Sequence, residues 1–525
     1  MVNATRLPIA ENANATAMAN EIFGDGVTVV AASYSGDNRA SGIYSNGDTV
    51  SPDVTPSDTG VILSTGRVRN FTNTNGEANQ STATSSNTSG VNNNPDFNAL
   101  AGTSTFDAAI LDVDFIPTSD FLTMQFVFAS EEYPEFQNSI YQDAVGVWVN
   151  GAPVDLAIGN GDTDPGNINN VSNQNLYFDN TADQYNTEMD GFTVTMTLTM
   201  AVTPNVLNSI RIGIADVSDS SYDSALLIAG NSVQSAIIAR ADAASVYVNG
   251  SVNIDVLGND TTTSGGTLTV THVNGQAVVA GSTITLATGE SVTLNADGTL
   301  TFQNDADLGA VNFTYSISDG INSDTGFVNV ASIPCFVSGT RILTPRGEVT
   351  VESLQPGDLV MTRDAGAQRL RWIGGRTVSA SGDFAPILIR AGTFGAHRNL
   401  LVSPQHRVLI RDYLAELLFG EAEVLVAAKD LVNGHSVVQK AGGFVTYIHL
   451  MFDRHQVVFS EGLETESFLP GPQTNSIFDK PVLDEICALF PELDPETGEG
   501  YSPAARRILR HYEARLLSPA LARAA

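Results

Sequence analysis

The chain has 525 residues and a formal net charge of −33, with 58 Asp and Glu against 25 Lys and Arg. That length exceeds one core and points to three or four domains, while the absence of a long apolar run excludes a membrane-spanning helix. The charge is uneven: residues 1–334 hold 36 acidic residues against 6 Arg and no Lys, and residues 335–470 hold 14 acids and 13 bases, so the front repels phosphate backbones and nucleic acid is excluded as its partner.

Met1 to Gly24 lacks a basic start followed by an apolar stretch, so no secretory signal peptide is expected there. Residues 1–235 read as an all-β sandwich. Strand-like runs recur at Val27–Val30, Gly60–Ser64, Leu122–Phe128 and Ala144–Gly151, separated by Asn, Gly, Ser and Asp clusters. Residues 72–98 are rich in Asn, Ser and Thr, which predicts a long polar loop or a disordered insert rather than a core element. Oxygen-rich turns in this region suit Ca²⁺, the candidates being Glu131, Glu132, Asp143, Asp216 and Asp223. No EF-hand spacing is present, and solvated Asp in turns is the competing explanation. A glycosidase-like role for Glu131 and Glu132 is disfavoured, because adjacent strand residues face opposite sides.

Residues 236–332 alternate with period two around Asp-Gly turns, the pattern of one Ig-like sandwich. Asp255, Asp260 and Asp319 are its Ca²⁺ candidates. From residue 333 to about 470 short strands continue and arginine returns. In the tail, 471–525, Ile508, Leu509, Tyr512 and Leu516 stand near helical spacing, which predicts an amphipathic helix over Ala504–Leu517. The expected fold class is thus mainly β and multidomain, with a helical tail.

Cys335 is one of two cysteines. The other, Cys487, lies in an apolar stretch and reads as a core thiol, with a Cys335–Cys487 partnership as the alternative. Cys335 follows Pro334 at the start of a domain, and Ser403-Pro404-Gln405-His406 comes about seventy residues later. That arrangement suggests a nucleophile aimed at its own preceding peptide bond.

The blocks Cys335–Thr340, Gly347–Glu352 with Pro356-Gly357-Asp358, Leu401–Val408, and Tyr447 through His455 to Leu463 occur in that order. Together they resemble the Hint (Hedgehog/intein) superfamily. Gly60–Gly66, Thr105–Ala109, Phe128–Tyr133 and Asp223–Ala225 look like the choice-of-anchor L domain of bacterial surface proteins, and residues 236–332 look like cadherin- or Ig-like adhesin repeats. These resemblances imply an extracellular or cell-surface protein with a glycan or surface protein as ligand.

The Hint resemblance implies self-cleavage at Pro334–Cys335 with no cofactor. Cys335 attacks the Pro334 carbonyl in an N–S acyl shift, His406 protonates the departing amine, and Ser403 supports the amide or the oxyanion. His449, Asp453 and His455 carry the final block. Excising inteins end in His-Asn, whereas this chain has Glu466-Ser467, so splicing is not expected. The acyl acceptor is water or an outside nucleophile. The Pro334 ring crowds its own carbonyl and slows the step. The rival expectation is a non-cleaving, Ca²⁺-dependent or glycan-binding adhesin with an inert Hint fold. His449 and His455 are expected on one face of a strand, too far apart to share a zinc ion.

Overall fold

The computed structural model describes residues 2–137, 139–159, 161–246, 251–304, 311–331, 335–380 and 385–469, and in the tail 486, 489–490, 501–509 and 514. The chain divides into two compact units: Met1–Asp242 with Asn253–Thr301 and Val311–Asn329, and Ala243–Val252 with Phe302–Ala310 and Val330–Ala525.

The first unit is led by a two-sheet sandwich. One sheet runs β1 (Ile9–Glu11), β3 (Ser41–Tyr44), β4 (Gly60–Ser64), β13 (Ser224–Ala229), β6 (Phe121–Ser130), β10 (Gly191–Thr193) and β9 (Tyr177–Asp179), with β11 (Met196–Ala201) also on β6. The other runs β2 (Val27–Ser35), β5 (Thr105–Pro117), β12 (Asn208–Val217), β7 (Ala144–Val149) and β8 (Ala152–Pro153). Strand alternation builds the core. Ala109, Leu111, Val113 and Phe115 of β5 point inward with Ile210, Ile212 and Ile214 of β12. The intervening Asp112 turns outward and pairs with Arg211 at 2.8 Å.

β6 is different because both its faces are covered. Met124, Phe126 and Phe128 enter the central core, while Val127 and Ala129 enter a second cluster with Tyr44, Phe71 and Phe192. A strand buried on both faces reads as a continuous apolar run, as this one does.

The polar stretch 72–98 is a long loop, pinned by side chains. Ser86 N–H donates to Asp223 Oδ1 at 2.7 Å and Thr88 N–H to Asp107 Oδ2 at 2.9 Å. Its end departs from expectation: a helix, Pro95–Ala101, is capped by Asn94 and buries Phe97 completely against Trp148. A single aromatic among polar neighbours gives no periodic signal for such a helix.

In the Ig-like region, Thr269–Val273 pairs antiparallel with Val311–Ser318, and Thr283–Thr285 with Ser291–Leu294. It is fastened to the sandwich by buried polar groups. Gln125 Nε2 donates to the Ser323 carbonyl at 3.0 Å, Asn274 Nδ2 donates to the Asn175 carbonyl at 2.8 Å, and Asp324 accepts the Ala239 N–H at 2.8 Å.

The second unit holds a six-stranded sheet and a nine-stranded one. In the first, the order is Trp372–Ser379, Phe444–Met451, Phe336–Val337, Leu400–Val402, Ile387–Ile389 and Val437–Gln439. Phe336, Ile342, Val402, Val408, Leu450 and Val458 lie in its main core.

The tail corrects one expectation. Arg507–Ile508, placed by spacing in a helix, is a short strand parallel to Val424–Leu425. Its apolar residues pack on a strand edge, and pairing there satisfies backbone groups that a helix would satisfy internally. Ala514 is helical, and the rest of the expected helix beyond Leu509 lies outside the described residues, as do Cys487 and Pro334. Among the described residues, no helix is long and apolar enough to cross a membrane.

Candidate active site

Strand register assembles the site. Phe336 pairs antiparallel with Val402 on one side and with Ile448 on the other. One step back along the central strand, Cys335 therefore falls opposite Ser403 and His449, residues that are remote in sequence. The contacts follow. Cys335 N–H donates to Ser403 Oγ at 2.7 Å, and Ser403 N–H donates to the Cys335 carbonyl at 2.9 Å. Cys335 Sγ stands 3.4 Å from His449 Nε2. All three residues are buried, the cysteine to 5% exposure, among Trp372, Tyr447, Met451 and Phe468.

Burial pushes the Cys335 thiol well above its ordinary value, and the Ser403 contact only partly offsets it. A thiol in that state is protonated at neutral pH and needs a base at the sulfur to react. His449 is the imidazole in contact with it.

His406 stands elsewhere in the same pocket. Its backbone closes the Ser403–His406 turn, His406 N–H donating to the Ser403 carbonyl at 3.0 Å. Its ring packs on Phe336, centroid to centroid 4.3 Å. Both ring nitrogens are buried without a hydrogen-bond partner. Burial brings the imidazole down to about 4, so it is neutral at physiological pH. A buried polar group left unpaired costs about 1–3 kcal/mol, and in a native fold it calls for a functional explanation.

Behind His406 lies a buried ionic cluster that sequence reasoning missed. Glu466, fully buried, accepts from Arg407 twice, from the backbone N–H and from Nη1, each at 2.9 Å. Burial pushes Glu466 up, but Arg407 and His455 more than cancel it and hold the carboxylate at about 2. His455 Nε2 is 3.4 Å from Glu466 Oε2 and 3.1 Å from the Ser467 carbonyl. Its Nδ1 accepts the Ala505 N–H at 2.9 Å, which assigns the proton to Nε2. The tail thus fixes this ring from outside the two sheets. Ala505→Pro removes the donor and leaves His455 Nδ1 unpaired, which should lower the stability of the domain by about 1–3 kcal/mol, read by guanidinium unfolding.

The other predicted residues separate from this group. Asp453 is exposed and pairs with Arg371 at 3.3 Å. His455 does not share a strand with His449, because the strand Phe444–Met451 ends between them. Glu131 and Glu132 diverge: the Thr84 N–H donates to the Glu131 carboxylate at 3.3 Å, while Glu132 Oε2 accepts the Asp143 N–H at 2.7 Å. Asp223 is occupied by Ser86. Asp260 accepts from the Arg240 N–H and Tyr315 hydroxyl, and Asp319 from Thr262, Ser264 and two turn amides. Asp255 is exposed.

Residues 334–472 match the family model of the Hint domain. The chain carries a Hint-type domain. Residues 6–234 match the choice-of-anchor L domain, and residues 234–331 the bacterial Ig domain. Among solved structures, the bacterial intein-like domain from Clostridium thermocellum is 17% identical and covers 26% of this chain and 97% of its own, with a TM-score of 0.19. The MchDnaB-1 intein is 11% identical, covering 25% and 98%, at 0.18. The gp41-1 intein is 12% identical, covering 25% and 97%, at 0.17. No curated protein matches the chain. The Hint fold is that of self-processing domains in general. Ser502 and Ala505, the tail residues that touch His455, lie beyond the matched Hint segment.

Proposed function

We propose that the Hint-type domain cleaves its own chain at Pro334–Cys335 by an N–S acyl shift, freeing the N-terminal part or passing it to an acceptor. The observation that carries this reading is the placement of Ser403 and His449 on opposite sides of Cys335, one on its amide and one on its sulfur. The Sγ proton passes to His449 as sulfur bonds to the Pro334 carbonyl carbon. The C–N bond then breaks, and the amine, held by Ser403 Oγ, takes up a proton to leave as the new N-terminus. Water or an outside nucleophile releases the thioester and returns the thiol. Without Asn beside Glu466-Ser467 there is no succinimide route on the C-terminal side. The freed part is a choice-of-anchor L domain with an Ig-like module, which fits a binding role at the cell surface.

One observation favours the inert alternative: burial keeps the thiol protonated. A single experiment separates the two. The purified chain should yield a fragment beginning at Cys335, accelerated by hydroxylamine or dithiothreitol and absent from Cys335→Ala. An intact chain under both conditions, or equal cleavage of Cys335→Ala, would leave the inert fold as the correct reading.

A further inference from the structure

A sheet exposes backbone groups where its strand order ends, and natural sheets blunt such edges with short strands, charge or proline. The sandwich does so at most of its edges. β1 and β9 have three residues each, and β8 has two and ends in Pro153. β11 also has a single partner, but it is largely buried. β2 is different: it has nine residues, Val27–Ser35, with neither charge nor proline. Among the described residues its backbone pairs only with β5. Its inward residues, Val27, Val29, Ala32 and Tyr34, are only half-buried, so solvent reaches the strand from its open side. A bulge between Val29 and Ala31 bends the first half, but residues 31–35 pair with β5 in regular register. That half is a template for another strand.

The outer face beside this edge is a groove. Ala31 and Ser33 of β2 lie opposite Asp114 and Asp112 of β5, and Asp112 lies opposite Arg211 of β12. With Asp96 from the helix Pro95–Ala101 they line a cavity of about 410 Å³, within the roughly 300–1,000 Å³ of ligand clefts. Three carboxylates meet one guanidinium there. Arg211 is taken by Asp112, at 2.8 Å, and by Asp96. Asp114 pairs with no cation among the described residues. The groove therefore carries excess negative charge, set behind two side chains too small to cover it.

We propose that β2 takes an added strand: an extended peptide with Arg or Lys at alternate positions, its backbone paired to residues 31–35 and its cations reaching the groove. Neighbouring strands lie about 4.8 Å apart, so the added strand runs about 10 Å from β5. A Lys or Arg side chain spans that gap when the strand between carries only Ala and Ser. Alternate side chains of a strand share one face, so the cations must stand two residues apart. Charge decides the occupant. A second copy of this chain offers the same uncharged β2, and its residues 1–334, with 36 acids against 6 Arg and no Lys, repel their like. Main-chain bonds supply the affinity, and the carboxylates supply the choice of partner. The inference concerns the part before Cys335 and stands whether or not the chain is cut.

The test uses the full chain with Cys335→Ala, which keeps it in one piece, and a fluorescent synthetic peptide in which Arg and Val alternate. Anisotropy should show saturable binding at low salt that weakens as salt is added. Hydrogen exchange of the β2 amides should slow when the peptide is bound. Ser33→Lys guards the exposed edge and sets a cation over the groove, so affinity should fall about tenfold or more. Asp114→Asn should weaken binding by about twofold to fivefold, the range for one cross-strand charge pair. A peptide alternating Glu and Val should not bind, nor should the Arg and Val peptide once every backbone nitrogen is methylated. No binding up to about 1 mM would overturn the proposal. So would equal affinity for the methylated peptide, which reduces the contact to bulk charge, or wild-type affinity in Ser33→Lys. Dimerisation in light scattering that Ser33→Lys abolishes would assign the edge to a second copy and overturn it too.

Discussion

His449→Ala should slow appearance of the Cys335-terminated fragment by about 10²–10⁴-fold, the range for losing a general base. The expectation rests on which imidazole can reach the sulfur. The thiol is kept protonated by burial, and His449 Nε2 lies 3.4 Å away. His406 makes no hydrogen bond to Cys335; its ring is packed on Phe336 instead. Any loss in His406→Ala should therefore not come from thiol activation. The two losses can be told apart. Added hydroxylamine attacks a thioester, so it should rescue a variant that still forms the thioester and fail to rescue His449→Ala. Ser403→Ala removes the acceptor of the Cys335 amide proton and should cost less than His449→Ala, while Ser403→Thr, which keeps the hydroxyl, should retain most of the rate. Densitometry of a gel time course decides. His449→Ala cleaving at the wild-type rate would remove the thiol–imidazole pair from the mechanism.

The sequence nominated Cys335, Ser403, His406 and His449 but not the contact of Cys335 with His449; what was legible is local. Cys335, Ser403 and His449 each sit in a short block whose order is informative, and β-pairing between blocks does the rest. Most strands were readable for a related reason: β4 and β6 carry runs of apolar residues bounded by polar turns. The Arg407–Glu466 contact was not readable, because it depends on Val408 pairing with Thr465 across 57 residues. Nothing local distinguishes Glu466 from a surface glutamate. The acidic candidates were hard to rank for the opposite reason. Composition nominated eight carboxylates alike, and only the fold separates Asp255, which is exposed, from Asp319, saturated by its own turn. Periodicity misled in the tail, where a 3.6-residue pattern over Ala504–Leu517 includes the strand Arg507–Ile508. A short apolar pair carries no period of its own, so the edge of the neighbouring sheet decides its conformation.

The buried cluster behind His406 should make the Hint-type domain sensitive to mild acid. In the fold, His406 protonates only near 4, against an ordinary 6.5. Once unfolded it takes up its proton near the ordinary value. Between those two pH values the unfolded chain binds more protons, so stability is full above 6.5 and is lost as the pH falls through 4. At pH 4.5 that loss is about 2–3 kcal/mol. Glu466 acts in the next window. Its folded value is held at about 2 against an ordinary 4.5, so its contribution is present above 4.5 and is lost as the pH falls through 2. The two windows join, and acid unfolding should begin with the histidine. Trp372, one of two tryptophans, lies in the cluster that contains Cys335 and reports this domain once Trp148 is replaced by Phe. Guanidinium unfolding of that variant at pH 7.5, 5.5 and 4.5 should show stability falling throughout. In a second variant that adds His406→Asn, the fall between 7.5 and 4.5 should largely vanish, because no imidazole remains there to be protonated. Equal slopes in the two proteins would show that His406 is already charged in the fold. Glu466→Gln tests the other partner: leaving Arg407 buried without its carboxylate should cost about 3–5 kcal/mol at neutral pH. That loss should shrink toward acid, where the native carboxylate itself becomes protonated and the two side chains converge in charge.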